Sequence, residues 1–189
     1  VQGQYSRIYN PVAMADQAKY KVLGERVIPR FQVDYDIVKK VLKATFDIQF
    51  DINNTKNSSF LPQIATGRPN TETVVNRAYD GDIDIFTVTS KSNLVYTPRF
   101  KNDKHNLISY LSFMTNDYKV VFQEVMTSNT ASSLLVDPSI PSRTQNAELQ
   151  AISGASQTRS IGGIISAQYG YDDKYLFNAT LRADGNSRF

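Results

Sequence analysis

Three carboxylates stand two residues apart in Asp80-Gly81-Asp82-Ile83-Asp84. Hard oxygens at that spacing suit calcium, and Gly81 allows a tight bend between them. The position that would supply the bidentate Glu of an EF-hand loop is Lys91. Asp80, Asp82 and Asp84 are therefore a calcium candidate weighed against a solvated acidic segment leading into a strand. His105 is the sole imidazole of the chain and there is no cysteine. Disulfides, zinc-thiolate centres and thiol catalysis are excluded, and a two-histidine site cannot be built from this chain. No G-x-S-x-G elbow offers a serine nucleophile. Asp47 and Asp51 share one face of a strand but lie four residues apart, about 13 Å, beyond the roughly 5–10 Å of a glycosidase pair. Three triplets starting at Asn53, Asn57 and Asn178 match the N-glycosylation pattern by chance composition. Gly154 and Gly162-Gly163 lack a phosphate-loop lysine and instead let backbone bend where a strand starts. No nucleophile, base and orienting group can be assembled, so no catalytic residue and no cofactor is expected.

The elements that hold these residues read as strands. In Leu42–Asn53 the residues Leu42, Ala44, Phe46, Ile48, Phe50 and Ile52 alternate with Lys43, Thr45, Asp47, Gln49, Asp51 and Asn53. Every residue of the first set is apolar and none of the second is. A period of two places them on opposite faces of a pleated strand. Val27–Tyr35 alternates likewise, with Phe31, Val33 and Tyr35 against Arg30, Gln32 and Asp34, and pairs with it across a tight connection at Asp36–Val41. Pro29 cannot donate to a ladder and belongs at a bulge or a strand start. A final hairpin runs from Ser160 to Asp184 around Tyr171–Lys174, with Ile161, Ile165, Tyr169, Phe177 and Leu181 on one face and Thr180 and Arg182 on the other. A middle hairpin spans Phe86–Phe100 and His105–Thr115 about Lys101–Lys104. Leu107–Met114 is apolar on both faces, so its register stays open.

The connections are unequal. Three are short, and two, Asn54–Asp82 and Asn116–Thr158, are long and rich in Asn, Ser, Thr, Pro and Gly. Two unstructured loops of that length are rare in a soluble domain. Short turns alternating with long loops on strands of about 9–11 residues fit an outer-membrane barrel. Tyr35, Tyr169, Tyr171 and Tyr175 gather beside the short turns, where an aromatic girdle would lie. The expected fold is all-β: about six antiparallel strands in three hairpins, one part of a transmembrane β-barrel. The competing reading is a soluble β-sandwich that binds carbohydrate or serves in adhesion, since sandwiches alternate too.

Composition agrees with a folded chain. The 189 residues are 41% hydrophobic and 21% charged, with 11 Tyr, 10 Phe and no Trp. Absence of Trp weakens the carbohydrate-platform reading. The net charge of +3 is scattered along the chain, so nucleic acid is not an expected partner. Mean hydropathy is −0.37 and no run of about 18 apolar residues occurs, which excludes membrane-spanning helices but not strands. The chain opens mid-pattern and stops directly after a strand-like run, as an excised piece would.

Three motifs carry a resemblance. The stretch Tyr171-Asp-Asp-Lys-Tyr-Leu-Phe-Asn-Ala-Thr-Leu-Arg-Ala-Asp-Gly-Asn-Ser-Arg-Phe189 closely resembles a hairpin signature of the SusC/RagA family of TonB-dependent outer-membrane transporters, with Asn186 where serine is commoner. Tyr9-Asn10-Pro11-Val12-Ala13 resembles the family's N-P-[LV]-A segment, and Lys104-His105-Asn106-Leu107 its K-H-N-L hairpin. The first motif is specific and the other two are weak alone, but they stand in the family's order. The resemblance implies a middle section of a 22-stranded barrel whose plug and TonB box have no counterpart here. It implies a multi-pass protein of a Gram-negative outer membrane, of the kind found mostly in Bacteroidetes. It also implies a SusD-like lipoprotein lid, energy relayed by TonB–ExbB–ExbD, and import of oligosaccharides or peptides. In that setting Arg30, Asp34, Lys43, Asp47, Gln49, Asp51, Thr180 and Arg182 are the expected lumen wall. Phe31, Val33, Leu42, Phe46, Ile48, Phe50, Phe177 and Leu181 are expected to face membrane lipid.

Overall fold

The computed structural model describes residues 8–69, 71–138 and 149–188. These form one antiparallel sheet of seven strands: β1 (Lys19–Val27), β2 (Arg30–Val38), β3 (Leu42–Leu61), β4 (Arg77–Tyr96), β5 (His105–Thr127), β6 (Leu149–Tyr171) and β7 (Tyr175–Arg188). The order across the sheet is β1-β3-β4-β5-β6-β7, and β2 also pairs with β3. Pro29 explains the seventh strand. It lies between β1 and β2, has no N–H to give, and its carbonyl accepts the Phe50 amide at 3.0 Å. One edge is thus broken in two where a single strand was expected to begin at Val27.

Four of the seven strands are about twice as long as expected, while β1 and β2 keep nine residues each. β3 and β4 have 20 residues each, and β5 and β6 have 23. About half of Asn54–Asp82 and of Asn116–Thr158, read above as loops, is therefore ladder. Only 62–76 and 128–148 lie between strands, and 139–148 fall outside the described residues. Asn, Ser and Thr in Asn53–Ser59 look loop-like by composition, yet neighbours on both sides satisfy their backbone groups, which decides the conformation.

The turns are tight and stereochemically specific. Lys40 takes φ 62° in the β2–β3 turn. Asp172 and Asp173, with φ 51° and 52°, lie inside a turn closed by the Lys174 amide on the Tyr171 carbonyl at 3.1 Å. Two successive positive φ values make it type I′, whose twist matches a hairpin. The middle turn is wider than expected, 97–104, because β4 stops at Tyr96 before Pro98.

Two short helices were not anticipated. α1 (Pro11–Gln17) starts with Pro11 in its first turn, and the Asn10 side chain accepts from the Val12 and Ala13 amides at 3.1 and 3.2 Å. Asn before Pro is a helix-start signal, so the Tyr9–Ala13 motif is a cap. α2 (Gln63–Thr66) ends at Gly67 in the left-handed region.

The chain forms two compact units. The first comprises Val1–Glu25, Asn53–Asp84 and Val120–Ala155; the second comprises Arg26–Ile52, Ile85–Lys119 and Ser156–Phe189. The first has a small core of Ala13, Phe60, Ala65, Val75 and Ala78. The second buries no apolar side chain among its described residues; only Ser112 and Gly162 are buried there. A β-sandwich needs a second layer over Phe46 and Ile48. The described strands make one sheet, Phe46 is 46% exposed, and the sandwich reading is set aside.

Candidate functional site

The two faces of the second unit differ in chemistry. In the β2–β3 ladder Phe31 opposes Ile48, Val33 opposes Phe46 and Tyr35 opposes Ala44. In the β6–β7 ladder Ile165 opposes Leu181, Ala167 opposes Ala179 and Tyr169 opposes Phe177. Directly opposed residues share a face, so each hairpin has one apolar face, as the alternation predicts. Phe31, Val33, Phe46, Phe177 and Leu181 are exposed there, while Leu42, Ile48 and Phe50 are half-buried. Phe50 also meets Phe86 of β4, ring centroids 6.5 Å apart. Phe86, Val88, Leu94 and Tyr96 therefore continue this face by period two.

The apolar stretch has the same length on three strands. It runs Leu42–Ile52 on β3, Phe86–Tyr96 on β4 and Ile161–Tyr171 on β6; on β4 Ser90 and Ser92 interrupt it, and the Ser90 hydroxyl is 2.6 Å from that of Thr115 on β5. Each spans about ten residue steps, roughly 33 Å at about 3.3 Å per residue. A tilt of about 40° converts that to roughly 25 Å, the height of the apolar band of an outer-membrane barrel. Both limits are marked by side-chain type. At the turn end, His105 Nδ1 lies 2.6 Å from the Tyr169 hydroxyl, with the rings of Tyr171 and Phe100 at 5.2 and 5.8 Å. At the far end Asp117 accepts from Gln157 at 2.7 Å and Arg159 at 3.0 Å. On β3 and β4 the same parity turns polar past Ile52 and Phe86, where Asn54 donates to Asp84 and Lys56 lies 4.0 Å from Asp82.

The opposite face is a wall of paired charge. Arg30 donates to Asp47, by Nε at 2.7 Å. Asp34 accepts from Thr45 at 2.6 Å and Gln32 at 3.1 Å, with Lys43 at 3.5 Å. Gln49 opposes Arg30. Asp51 is gripped in two-pronged fashion by Arg26, at 2.8 and 2.6 Å. On the last hairpin Thr180 opposes Ser166, and Arg182 donates to Asp184 at 2.7 Å. Gly162 faces Asp184; a Cβ there would meet its Oδ1 at 2.8 Å. Asp47 and Asp51 are thus each committed to their own arginine.

Sequence reading missed Arg26 and the polar groups of β4 and β5, and it put Asp184 on the face of Arg182 without counting it in the wall. Arg26 shares the parity of Arg30 across Pro29, so period-two counting could have found it. The β5 register is settled by Asn93, whose Oδ1 accepts from Tyr110 at 2.7 Å and Ser112 at 2.8 Å. Thr89 donates to Asn116 at 3.2 Å. The polar face of β5 is therefore Tyr110, Ser112 and Asn116, disguised by the bulk of Tyr110.

In the first unit the segments between strands are built, not slack. The Asn76 carboxamide accepts from the Gln63 amide at 2.8 Å and donates to the Thr130 carbonyl at 3.2 Å. Ser128 donates to the Thr73 carbonyl at 2.6 Å, and the Asn10 amide to the Ala65 carbonyl at 2.9 Å. Burial pushes the Tyr79 hydroxyl above its ordinary value, helped by Glu124 and Asp80. Asp80, Asp82 and Asp84 fall at alternate positions of β4, and no three metal-ligating side chains gather among the described residues. Gly81 serves the Tyr79 ring, whose hydroxyl would lie 2.5 Å from a Cβ there.

Solved structures share this fold. One of the RagAB peptide transporter aligns over 93% of this chain with a TM-score of 0.80 at 16% identity. The RagAB peptide importer aligns over the same share in its open-open state, at 0.73 and 17%, and its closed-closed state, at 0.74 and 16%. In each case the match covers 19% of that chain, so this chain spans about a fifth of their length. No protein-family model and no curated protein matches. The fold is that of a section of these chains. No helix among the described residues is long and apolar enough to cross a membrane, which leaves strands free to do so.

Proposed function

We propose that this chain is a barrel section of an outer-membrane nutrient importer of the SusC/RagA type. The observation that carries the reading is the second unit's exposed apolar face, ten residue steps long on each of β3, β4 and β6, in a unit with no buried apolar side chain among its described residues. In water such a face would be a severe liability; in a bilayer it is the membrane-facing surface. The opposite face, with Arg30, Asp34, Lys43, Asp47, Gln49, Asp51, Thr180 and Arg182, lines the lumen. The short turns lie in the periplasm, and the segments 62–76 and 128–148 lie outside the cell. A SusD-like lipoprotein covers the outer mouth, and TonB–ExbB–ExbD supplies energy through parts of the full protein beyond this chain. Peptide is the favoured cargo because the structures of like fold belong to a peptide transporter; oligosaccharide is the other class the motifs allow.

Uptake tests the reading. Deletion of the full-length gene should abolish uptake of labelled oligopeptides or oligosaccharides by intact cells, and the gene supplied in trans should restore it. Unchanged uptake of both classes would reject the importer. Topology is tested separately by a single cysteine at Leu134, which is 85% exposed. A membrane-impermeant maleimide should label it on intact cells; labelling only after the outer membrane is breached would reverse the orientation.

A further inference from the structure

A hollow of about 360 Å³ interrupts the apolar face of the second unit. Val33, Tyr35 and Phe46 line it from β2 and β3 and Leu94, Leu111 and Phe113 from β4 and β5, with the small side chains of Ala44 and Ser92 between them. Val33, Tyr35 and Phe46 project from the apolar face by register. Leu94 shares the parity of Phe86, which touches Phe50, so all belong to one surface. Ala44 makes the hollow: its neighbours on β3 are large, and its partner across the ladder, Tyr35, stands 66% exposed. The volume lies at the small end of the range for ligand sites.

Its depth and surroundings select an occupant. Ala44 and Phe46 lie two and four residues inside the turn-side limit at Leu42, roughly 5–10 Å of height once strand tilt is applied. That depth belongs to the upper part of an acyl chain in one leaflet, whose hydrocarbon is about 15 Å thick. The turns just beyond are basic. Lys39, Lys40, Arg99 and Lys101 make no ion pair among the described residues, whereas Lys104 is taken by Asp172. Unpaired cations beside a membrane-facing surface collect anionic headgroups.

We propose that this hollow seats one acyl chain of an anionic glycerophospholipid from the turn-side leaflet, whose phosphate is held by Lys39, Lys40, Arg99 and Lys101. The proposal rests on the barrel reading above. The ligand is a structural lipid: it fills the notch that Ala44 leaves, and its headgroup charge offsets part of the positive charge on the two turns.

The test uses the full-length protein, extracted in mild detergent, stripped of lipid, and titrated with phosphatidylglycerol or phosphatidylcholine under native mass spectrometry. Wild type should retain one phosphatidylglycerol in preference to phosphatidylcholine. Ala44→Phe, which fills the notch with a side chain the apolar face already uses, should weaken retention by at least about tenfold. The combined Lys39→Gln, Lys40→Gln, Arg99→Gln and Lys101→Gln change should erase the preference between headgroups. Leu94→Trp is a second filler should Ala44→Phe fail to fold, and heat-modifiable gel mobility reports folding of each variant. Undiminished retention in a folded filled variant, equal binding of both lipids by wild type, or a protein dimer in place of a lipid adduct would each overturn the proposal. A heat-modifiable barrel without a lipid adduct defeats this inference alone; a protein that is not a barrel defeats both readings.

Discussion

With φ at 47°, Asn76 occupies the left-handed region that asparagine tolerates better than alanine. The same side chain, buried to 4% exposure, ties the Gln63 amide to the Thr130 carbonyl. Asn76→Ala leaves both groups unpaired and keeps the strained backbone. It should cost about 1–3 kcal/mol from the lost hydrogen bonds alone, seen as faster hydrogen exchange across 62–76 and 127–130. Exchange rates unchanged from wild type would show that the carboxamide does not hold these segments together. Gly67 is the second such position. It has φ 62°, and a Cβ would strike the Ile8 carbonyl oxygen. Gly67→Ala should therefore destabilise the first unit by about 1 kcal/mol or more, measured by denaturant titration of the assembled protein; an unchanged midpoint would mean that the Ile8 backbone moves aside freely. Neither role was legible in the sequence, since Asn and Gly in a polar stretch read only as loop. That Arg30 and Asp47 share the polar face was legible because period two assigns a face, but their pairing was not, because it depends on register.

At the scale of elements, β3 shows where composition misleads. Leu42–Ile52 was readable because one face is apolar, and that contrast ends at Asn53. From Asn53 to Ser59 both faces are polar, so alternation vanishes although the ladder continues to Leu61. Strand length is set here by pairing to neighbours, a long-range property that local pattern cannot carry. Asn57→Pro discriminates the two readings. Proline is harmless in a loop, but within β3, which has neighbours on both sides, it removes a ladder donor. A loss of about 3 kcal/mol or more is expected, visible as loss of the heat-modifiable barrel band; wild-type assembly would return this segment to loop. The short hairpins were legible through their turns, as at Asp172-Asp173. The helix α1 was missed although Asn10-Pro11 is a start signal, because its seven residues are about two turns, too few to show a 3.6-residue period.

At the scale of the molecule, the sheet has an edge at β1 and β2, every residue of which is exposed, and another at β7. Unpaired edges and an apolar face are both routes to association. Residues 1–189 alone in buffer are predicted to associate or to require detergent; a clean monomer by light scattering would contradict this. The most direct test sits at the middle of the apolar stretch. Leu42–Ile52 centres on Asp47 and Ile48, so the proposed barrel puts Ile48 near the bilayer midplane, with Gln49 on the opposite face of the strand. Ile48→Arg in the full-length protein should cost about 2–4 kcal/mol of folding free energy in lipid vesicles, whereas Gln49→Arg should be tolerated, since it adds a cation to a face already lined by Arg26 and Arg30. That difference is the result the account predicts. Equal tolerance of arginine at both positions would contradict a membrane-facing apolar surface, and with it the assignment of this chain to a transmembrane barrel.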